Sequence, residues 1–262
     1  MMQLPFSPAQ IETFFMIFIR TGAILFSIPL FGSQNFPAVA KVGLSLLISW
    51  VIFPSVPPTG IIKTAQWLQL VPAIIAEIMI GIVIGFTARM FFEGIQLGGQ
   101  LVGFQMGFGI VNVIDPVSGA NFSVIAQFQN LLATLFFIAL NMHHVFFNAI
   151  ALSFKKIPVF HCSLSTPLWE WLIDLSSNIF LVAVKVGAPV IAILLFTSVA
   201  LGIIAKSVPQ INIFIVGFPI KIAAGLIGLG ITLPMFFIVL KKIFSHFDEY
   251  IFIILKAGAL PS

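Results

Sequence analysis

Gly94-Ile-Gln-Leu-Gly98-Gly99-Gln-Leu-Val-Gly103-Phe-Gln105-Met106-Gly107-Phe108-Gly109-Ile-Val-Asn112-Val-Ile-Asp115-Pro116-Val-Ser118 is the stretch on which the fold turns. It lies between two long apolar segments, yet nothing before Asp115 carries a charge. Its glycines recur at four-residue spacing, 94 and 98, then 99, 103 and 107. Asp115-Pro116 ends it, a pair that stops one helix and suits the start of another. The stretch reads as a glycine-rich, uncharged crossover that needs protein walls around it.

The composition supplies those walls. Of 262 residues, 60% are hydrophobic and 8% are charged. A soluble domain is roughly a quarter charged, so the expected class is an all-α, membrane-associated protein. The net charge of +4 comes from scattered Lys and Arg, not from a basic patch. Nucleic-acid binding needs clustered positive charge and is excluded as a reading. Cys162 is the only cysteine, so no internal disulfide and no cysteine-based zinc site can form. The N-terminus has no Lys or Arg ahead of its apolar run, and it reads as a retained helix.

About six long helices are expected, several of them broken, arranged as tilted hairpins. Ile11–Phe31 contains Arg20 and ends at Pro29 and Gly32. An arginine near a helix centre costs about 2.5–3.5 kcal/mol on insertion scales, so a partner, a wet surface or snorkelling is required. Val42–Phe53 is short and stops in a proline cluster, which suggests half of a hairpin packed in protein. Trp67–Phe92, Val124–Phe154, Trp169–Ala205 and Ile211–Leu240 are the long segments, the third read as one kinked helix or two because it holds Lys185 and Pro189, and Ile243–Lys256 has the pattern of an interfacial helix. Lys63, Lys155, Lys156, Lys241 and Lys242 mark one set of ends as the cytoplasmic side.

Glu77, Gly81 and Gly85 share one helical face, where glycine lets a neighbouring backbone approach. Glu77 reads as a structural partner for Arg89, Arg20 or another subunit, with a proton-carrying role as the alternative. His143 and His144 are adjacent and do not face each other on a helix, so packing is favoured over a shared site. There is no P-loop, no G-x-S-x-G and no metal-ligand spacing, so neither enzyme chemistry nor a cofactor is expected. Ser207–Pro219 is a second interrupted element, carrying Pro209 and Gln210. Two interrupted helices, one in each half, are also what a small-solute secondary transporter would show.

The residues from Glu77 to Phe86, Gly99, Gly103 and Gln105-Met106-Gly107, Asp115-Pro116 and Ser207–Pro219 closely resemble the FliR family. Arg20-Thr-Gly with Pro29-Leu-Phe-Gly32, and Asn141-Met-His143 with Ser153–Pro158, resemble it too. Those proteins are export-gate components of the flagellar type III secretion apparatus, related to the SctT proteins of injectisomes. Gln105-Met106-Gly107 resembles the flagellar branch, whereas injectisome relatives tend to carry an Asp-x-Gln-Arg-Gly version. An SctT-type export subunit is the nearer alternative.

The resemblance implies one export-gate domain over residues 1–262, with a FliP-like half at 1–160 and a FliQ-like half at 161–262. It implies a non-enzymatic subunit that assembles with FliP-like and FliQ-like subunits into a helical cone for unfolded substrates. An FlhB-like subunit joins that assembly, and much of the cone stands above the plane of the bacterial inner membrane, in the flagellar basal body. The resemblance makes residues of about 104–116 a plug loop. Gln105, Met106, Gly107, Phe108, Gly109, Ile110, Val113, Ile114, Asp115 and Pro116 are its expected members. Their apolar character suits a water-excluding constriction, methionine adds pliability, and Gly107 and Gly109 add backbone freedom. Asp115-Pro116 would cap the helix that follows. Arg20, Glu77, Gly81, Gly85, Gly99, Gly103, Pro209 and Gln210 are the expected packing and assembly residues.

Overall fold

A computed structural model describes residues 7–32, 36–58, 67–108, 123–159, 166–210 and 212–257. Those residues are almost entirely helical, with no strand among them. The helices are α1 (Pro8–Ser27), α2 (Pro29–Gly32), α3 (Ala38–Ile52), α4 (Trp67–Met106), α5 (Val124–Ala139), α6 (His143–Lys156), α7 (Thr166–Ser207), α8 (Ile213–Ser245) and α9 (Phe247–Ala257). Five are long and apolar enough to cross a membrane, or six spans if α5 and α6 count as one broken span. The all-α membrane class expected from composition is therefore the one observed.

Local sequence sets the ends. Ser7 opens α1 with a capping box: its hydroxyl accepts from Gln10 N–H at 3.3 Å, while its own N–H donates to Gln10 Oε1 at 2.7 Å. Pro29 closes that helix by restricting Ile28, which is extended at φ −71°, ψ 132°. α5 and α6 part at Leu140–Met142, where Asn141 takes φ +56°, a left-handed conformation that asparagine tolerates. The segment read as Val124–Phe154 is therefore two helices. Lys155 and Lys156 fall in the last turn of α6, and Asp248 and Glu249 in the first turn of α9, each favourable to the helix dipole.

Two other expectations change. Gly94–Met106 is not crossover but the second half of α4, a helix of 40 residues. At 1.5 Å per residue α4 is about 60 Å long, twice the roughly 30 Å of a bilayer's hydrocarbon core. α3 spans 15 residues where about 12 were expected, and with its closing 3₁₀ turn (Phe53–Ser55) it reaches spanning length. Of the two readings of Trp169–Ala205, one helix or two, the single helix is observed, with Pro189 inside it.

The chain forms two compact units. The first takes Met1–Met90, Asn141–Leu175 and His246–Ser262, and the second takes Phe91–Leu140 and Ser176–Ser245. α4 and α7 each contribute to both, so the units interleave along the sequence. In the second unit Phe92, Phe137 and Phe244 form a ring cluster with centroids 5.5–6.1 Å apart. Val102, Met106, Ile125, Val190, Leu194 and Leu229 make a separate buried cluster there.

In the first unit α1 packs on α3, and α3 is inside out. Its buried residues are Lys41, Ser45 and Ser49, one per turn, while Val39 is 85% exposed and Trp50 62% exposed. The serines satisfy themselves along their own helix: Ser45 Oγ donates to Lys41 O at 2.8 Å and Ser49 Oγ to Ser45 O at 2.6 Å. Small polar side chains thus let the two helices approach, as between helices in lipid. Ser45→Leu should wedge α1 from α3 at a cost of about 1–3 kcal/mol. Val39→Ser should cost less. Thermal unfolding of the detergent-purified protein orders the two, and the reverse order would refute the inverted face.

Candidate gate element

The apolar crossover is rooted in the second unit by the last turn of α4. Gly107 N–H donates to Phe104 O at 3.0 Å and Phe108 N–H donates to Gly103 O at 3.1 Å. With Gly107 at φ +98°, this is a Schellman stop. Gly107 therefore fixes where the helix ends and where the crossover begins, rather than serving as a free hinge. Met106, expected to project from the loop, is instead fully buried in the Val102–Leu229 cluster. Phe108 packs against the same cluster, and Gln105 is exposed. Gly109, Ile110, Val113, Ile114, Asp115 and Pro116 lie outside the described residues. α5, the next described helix, takes its cap from Ser123, whose hydroxyl accepts from Ala126 N–H at 3.3 Å.

The glycine ladder serves two neighbours. A Cβ on Gly94 would meet Val182, and one on Gly98 would lie 2.8 Å from Ala183 O, both on α7. A Cβ on Gly99 would run into Ala126 and lie 2.8 Å from Gln129 Oε1, and one on Gly103 would strike Ser123 Oγ. One pair of glycines thus seats α7 and the next pair seats α5. Both expected packing positions, Gly99 and Gly103, are close approaches.

α8 grips the root in two places. A Cβ on Gly107 would lie 2.6 Å from Phe218 Cδ1, and a Cβ on Gly225 would lie 2.6–2.7 Å from Met106 Cγ, Cε and Sδ. Neither Phe218 nor Gly225 stood out in the sequence. The run Ala223-Ala224-Gly225 was the available signal, three small residues in succession. Pro209 and Gln210 form the exposed turn between α7 and α8.

The first unit holds a buried anchor. Arg20 is 0% exposed and Glu77 is 1% exposed. The guanidinium donates through Nε to Glu77 Oε2 and through Nη2 to Glu77 Oε1 at 3.0 Å, a two-pronged pairing. Its Nη1 donates to Ser153 O at 3.1 Å and to Ile157 O at 2.8 Å. The Phe154 ring lies under the cation, 4.4 Å from Cζ. Those two carbonyls belong to the end of α6, so Arg20 caps that helix from another element while pairing with α4. Arg20, one of the partners expected for Glu77, pairs with it here.

Gly81 and Gly85 bring α1 against α4 beside this anchor. A Cβ on Gly81 would collide with Ala23 and lie 2.9 Å from Arg20 O, and one on Gly85 would collide with Ser27 and lie 3.0 Å from Ile24 O. The histidines were expected not to face each other, yet the His143 and His144 rings lie in contact, tilted by 36° with centroids 4.4 Å apart. They are the first two residues of α6. Among the described residues, no three His, Cys, Asp or Glu side chains are grouped as metal ligands.

A family model described as "Bacterial export proteins, family 1" matches residues 11–247. The flagellar biosynthetic protein FliR of Bacillus subtilis (strain 168) is 35% identical over 235 residues, covering 88% of this chain and 90% of that one. FliR of Pectobacterium carotovorum is 32% identical over 228 residues, with 86% and 85% covered. FliR of Escherichia coli (strain K12) is 28% identical over 239 residues, with 90% of each chain covered.

Proposed function

Because this chain belongs to the FliR family of bacterial export proteins, we propose that it lines the flagellar protein export channel and closes it with the crossover that follows α4. It is a membrane protein of the flagellar apparatus. In the proposed role it is a non-enzymatic gate subunit of the inner membrane, assembled with FliP-like, FliQ-like and FlhB-like chains in the basal body. Its 1–160 half continues the FliP-like subunits and its 161–262 half the FliQ-like ones. Unfolded flagellar proteins are the cargo.

The observation that carries this reading is the contrast between the crossover and its root. Residues 103–108 are held by a Schellman stop and a buried methionine. The residues that follow up to Asp115 carry no charge and are rich in apolar side chains. A fixed base bearing an apolar segment suits a seal, because apolar surface excludes water and ions from a constriction. Methionine and glycine in such a seal accommodate cargo of varied shape.

Replacing Gly109–Ile114 with an equal-length glycine–serine segment tests it. That variant keeps the packed root, so the complex should assemble. Its conductance in planar bilayers should rise well above that of the unaltered complex. Conductance at background in an assembled complex would refute the seal. The same purification, in mild detergent, should yield a hetero-oligomer by mass, and a monomer that binds a small solute would point to a carrier instead.

A further inference from the structure

In the first unit, α6 and α9 enclose a groove of about 790 Å³. That volume falls within the roughly 300–1,000 Å³ of small-ligand sites. Two aromatic contacts hold the helices together beside it. The Phe146 and Phe247 rings meet edge-on with centroids 5.2 Å apart, and Lys156 Nζ lies 5.6 Å from the centre of the Phe252 ring. Val145, Ala149 and Leu152 of α6 and Ile251, Phe252 and Ile253 of α9 make the walls apolar.

Three charged residues line the same groove: Lys155 on α6, and Asp248 and Glu249 on α9. All three are exposed, and among the described residues none of them takes part in an ion pair. Their charges suit the dipoles of their own helices, which leaves the ammonium donors and carboxylate oxygens available to a ligand. Lys155 also lines a second groove, of about 480 Å³, where Val51, Val56 and Phe154 supply apolar walls. Ala151 and Lys155, one turn apart on α6, belong to both grooves and form the ridge between them. A ligand that satisfies all of this brings an anion for Lys155, a cation for the acidic pair and a hydrocarbon chain for each groove.

We propose that this ridge and its two grooves bind a phospholipid with a primary ammonium headgroup, phosphatidylethanolamine. The lipid phosphate accepts from the Lys155 ammonium, and the lipid ammonium donates to Asp248 and Glu249. The two acyl chains lie in the grooves on either side of the ridge. Charge-assisted hydrogen bonds of this kind are short and strong, and a lysine at the end of a membrane helix reaches the headgroup level. The acidic pair sets the selectivity. An anionic lipid without an amine brings its charge against two carboxylates, and a choline headgroup has no N–H to donate, whereas a primary ammonium has three. A peptide helix would fill one groove and leave the other. The proposal rests on the membrane-spanning helices and not on the gate reading.

Benzoylphenylalanine in place of Leu152 tests it. Leu152 is 40% exposed on the wall of the larger groove, so the photoreactive ring is carried by a position that tolerates bulk. The full-length chain, purified in mild detergent with the chains that accompany it, is reconstituted in nanodiscs. These hold phosphatidylethanolamine, phosphatidylcholine and phosphatidylglycerol in equal parts, all with the same acyl chains. After irradiation, the intact mass should show one added phosphatidylethanolamine. Its adduct should exceed the phosphatidylcholine adduct by about tenfold, the discrimination that one hydrogen bond to a charged group supplies. Asp248→Asn with Glu249→Gln should erase that preference, and Lys155→Gln should lower capture of all three lipids.

Equal capture of the three lipids with Asp248 and Glu249 intact would overturn the headgroup assignment. So would a preference that survives their replacement. A cross-link to another polypeptide or to a second copy of this chain would show that protein covers the groove, and would overturn the lipid site. The absence of any lipid adduct would overturn it too.

Discussion

Arg20→Ala abolishes accumulation of the folded chain and, with it, swimming: that is the largest single-residue effect expected. The substitution strips Glu77 of its two-pronged partner in a site where neither side chain has appreciable exposure. It also removes a donor from two carbonyls at the end of α6: Ser153 O keeps the Ile157 N–H at 2.8 Å, while Ile157 O loses its 2.8 Å contact with Nη1. Removing one member of a buried ion pair costs about 3–5 kcal/mol, and the one acceptor that loses its donor, Ile157 O, adds about 1–3 kcal/mol. Against a total stability of roughly 5–15 kcal/mol, the sum is decisive.

Arg20→Lys keeps the charge but not the planar fork, so it should accumulate only in part. The double variant Arg20→Met with Glu77→Met should do better than either single loss, because no uncompensated charge then remains buried. Gel filtration of the detergent extract reads all three. Wild-type yield and an unchanged melting temperature for Arg20→Ala would show that the pair is dispensable.

Gly81→Val should match that loss by a different route. Its new side chain would meet the backbone carbonyl of Arg20 and the Cβ of Ala23, and neither is the movable end of a side chain. α1 must then leave α4 at the very turn that carries the ion pair. Overpacking alone costs about 1–3 kcal/mol, and a displaced guanidinium adds the penalty already described. Gly43 is the internal control, since a Cβ there would meet nothing within 4 Å. Gly43→Ala in α3 should be neutral or raise stability by about 0.5–1 kcal/mol, the usual gain on replacing glycine within a helix. If Gly81→Val and Gly43→Ala melt together, the close approach of α1 and α4 is not what holds the first unit.

Composition made the class legible, because a chain this apolar has few alternatives to membrane helices. The glycines were legible as close contacts but not as boundaries. Gly94, Gly98, Gly99 and Gly103 suggested an irregular crossover, since glycine weakens a helix in water. In α4 each one admits a neighbouring helix, and packing outweighs propensity. Only Gly107 takes the positive φ that ends a helix, and spacing does not distinguish it from the other four.

Glu77 could be matched to a short set of cations, but the choice of Arg20 needed the fold, because 57 residues separate the two. Phe218 and Gly225 went unnoticed for a related reason. A socket is defined by what fills it, and Met106 lies more than a hundred residues away in sequence. For α3 the packed face was not legible. Hydropathy identifies its apolar side as the packed one, whereas its serines and Lys41 are the residues turned inward.

Arg20 also imposes an order of events. Chains are made from the N-terminus, at about 5–20 residues per second, so Arg20 emerges first and Glu77 follows 57 residues later. The carbonyl of Ile157 arrives 137 residues after Arg20. For that interval the α1–α4 pair exists with one arm of its guanidinium still lacking its final acceptors. α6 then docks onto a donor already in place. A nascent chain interrupted before Ile157 carries a half-satisfied buried cation, a molecular mark of incompleteness that disappears when α6 is finished.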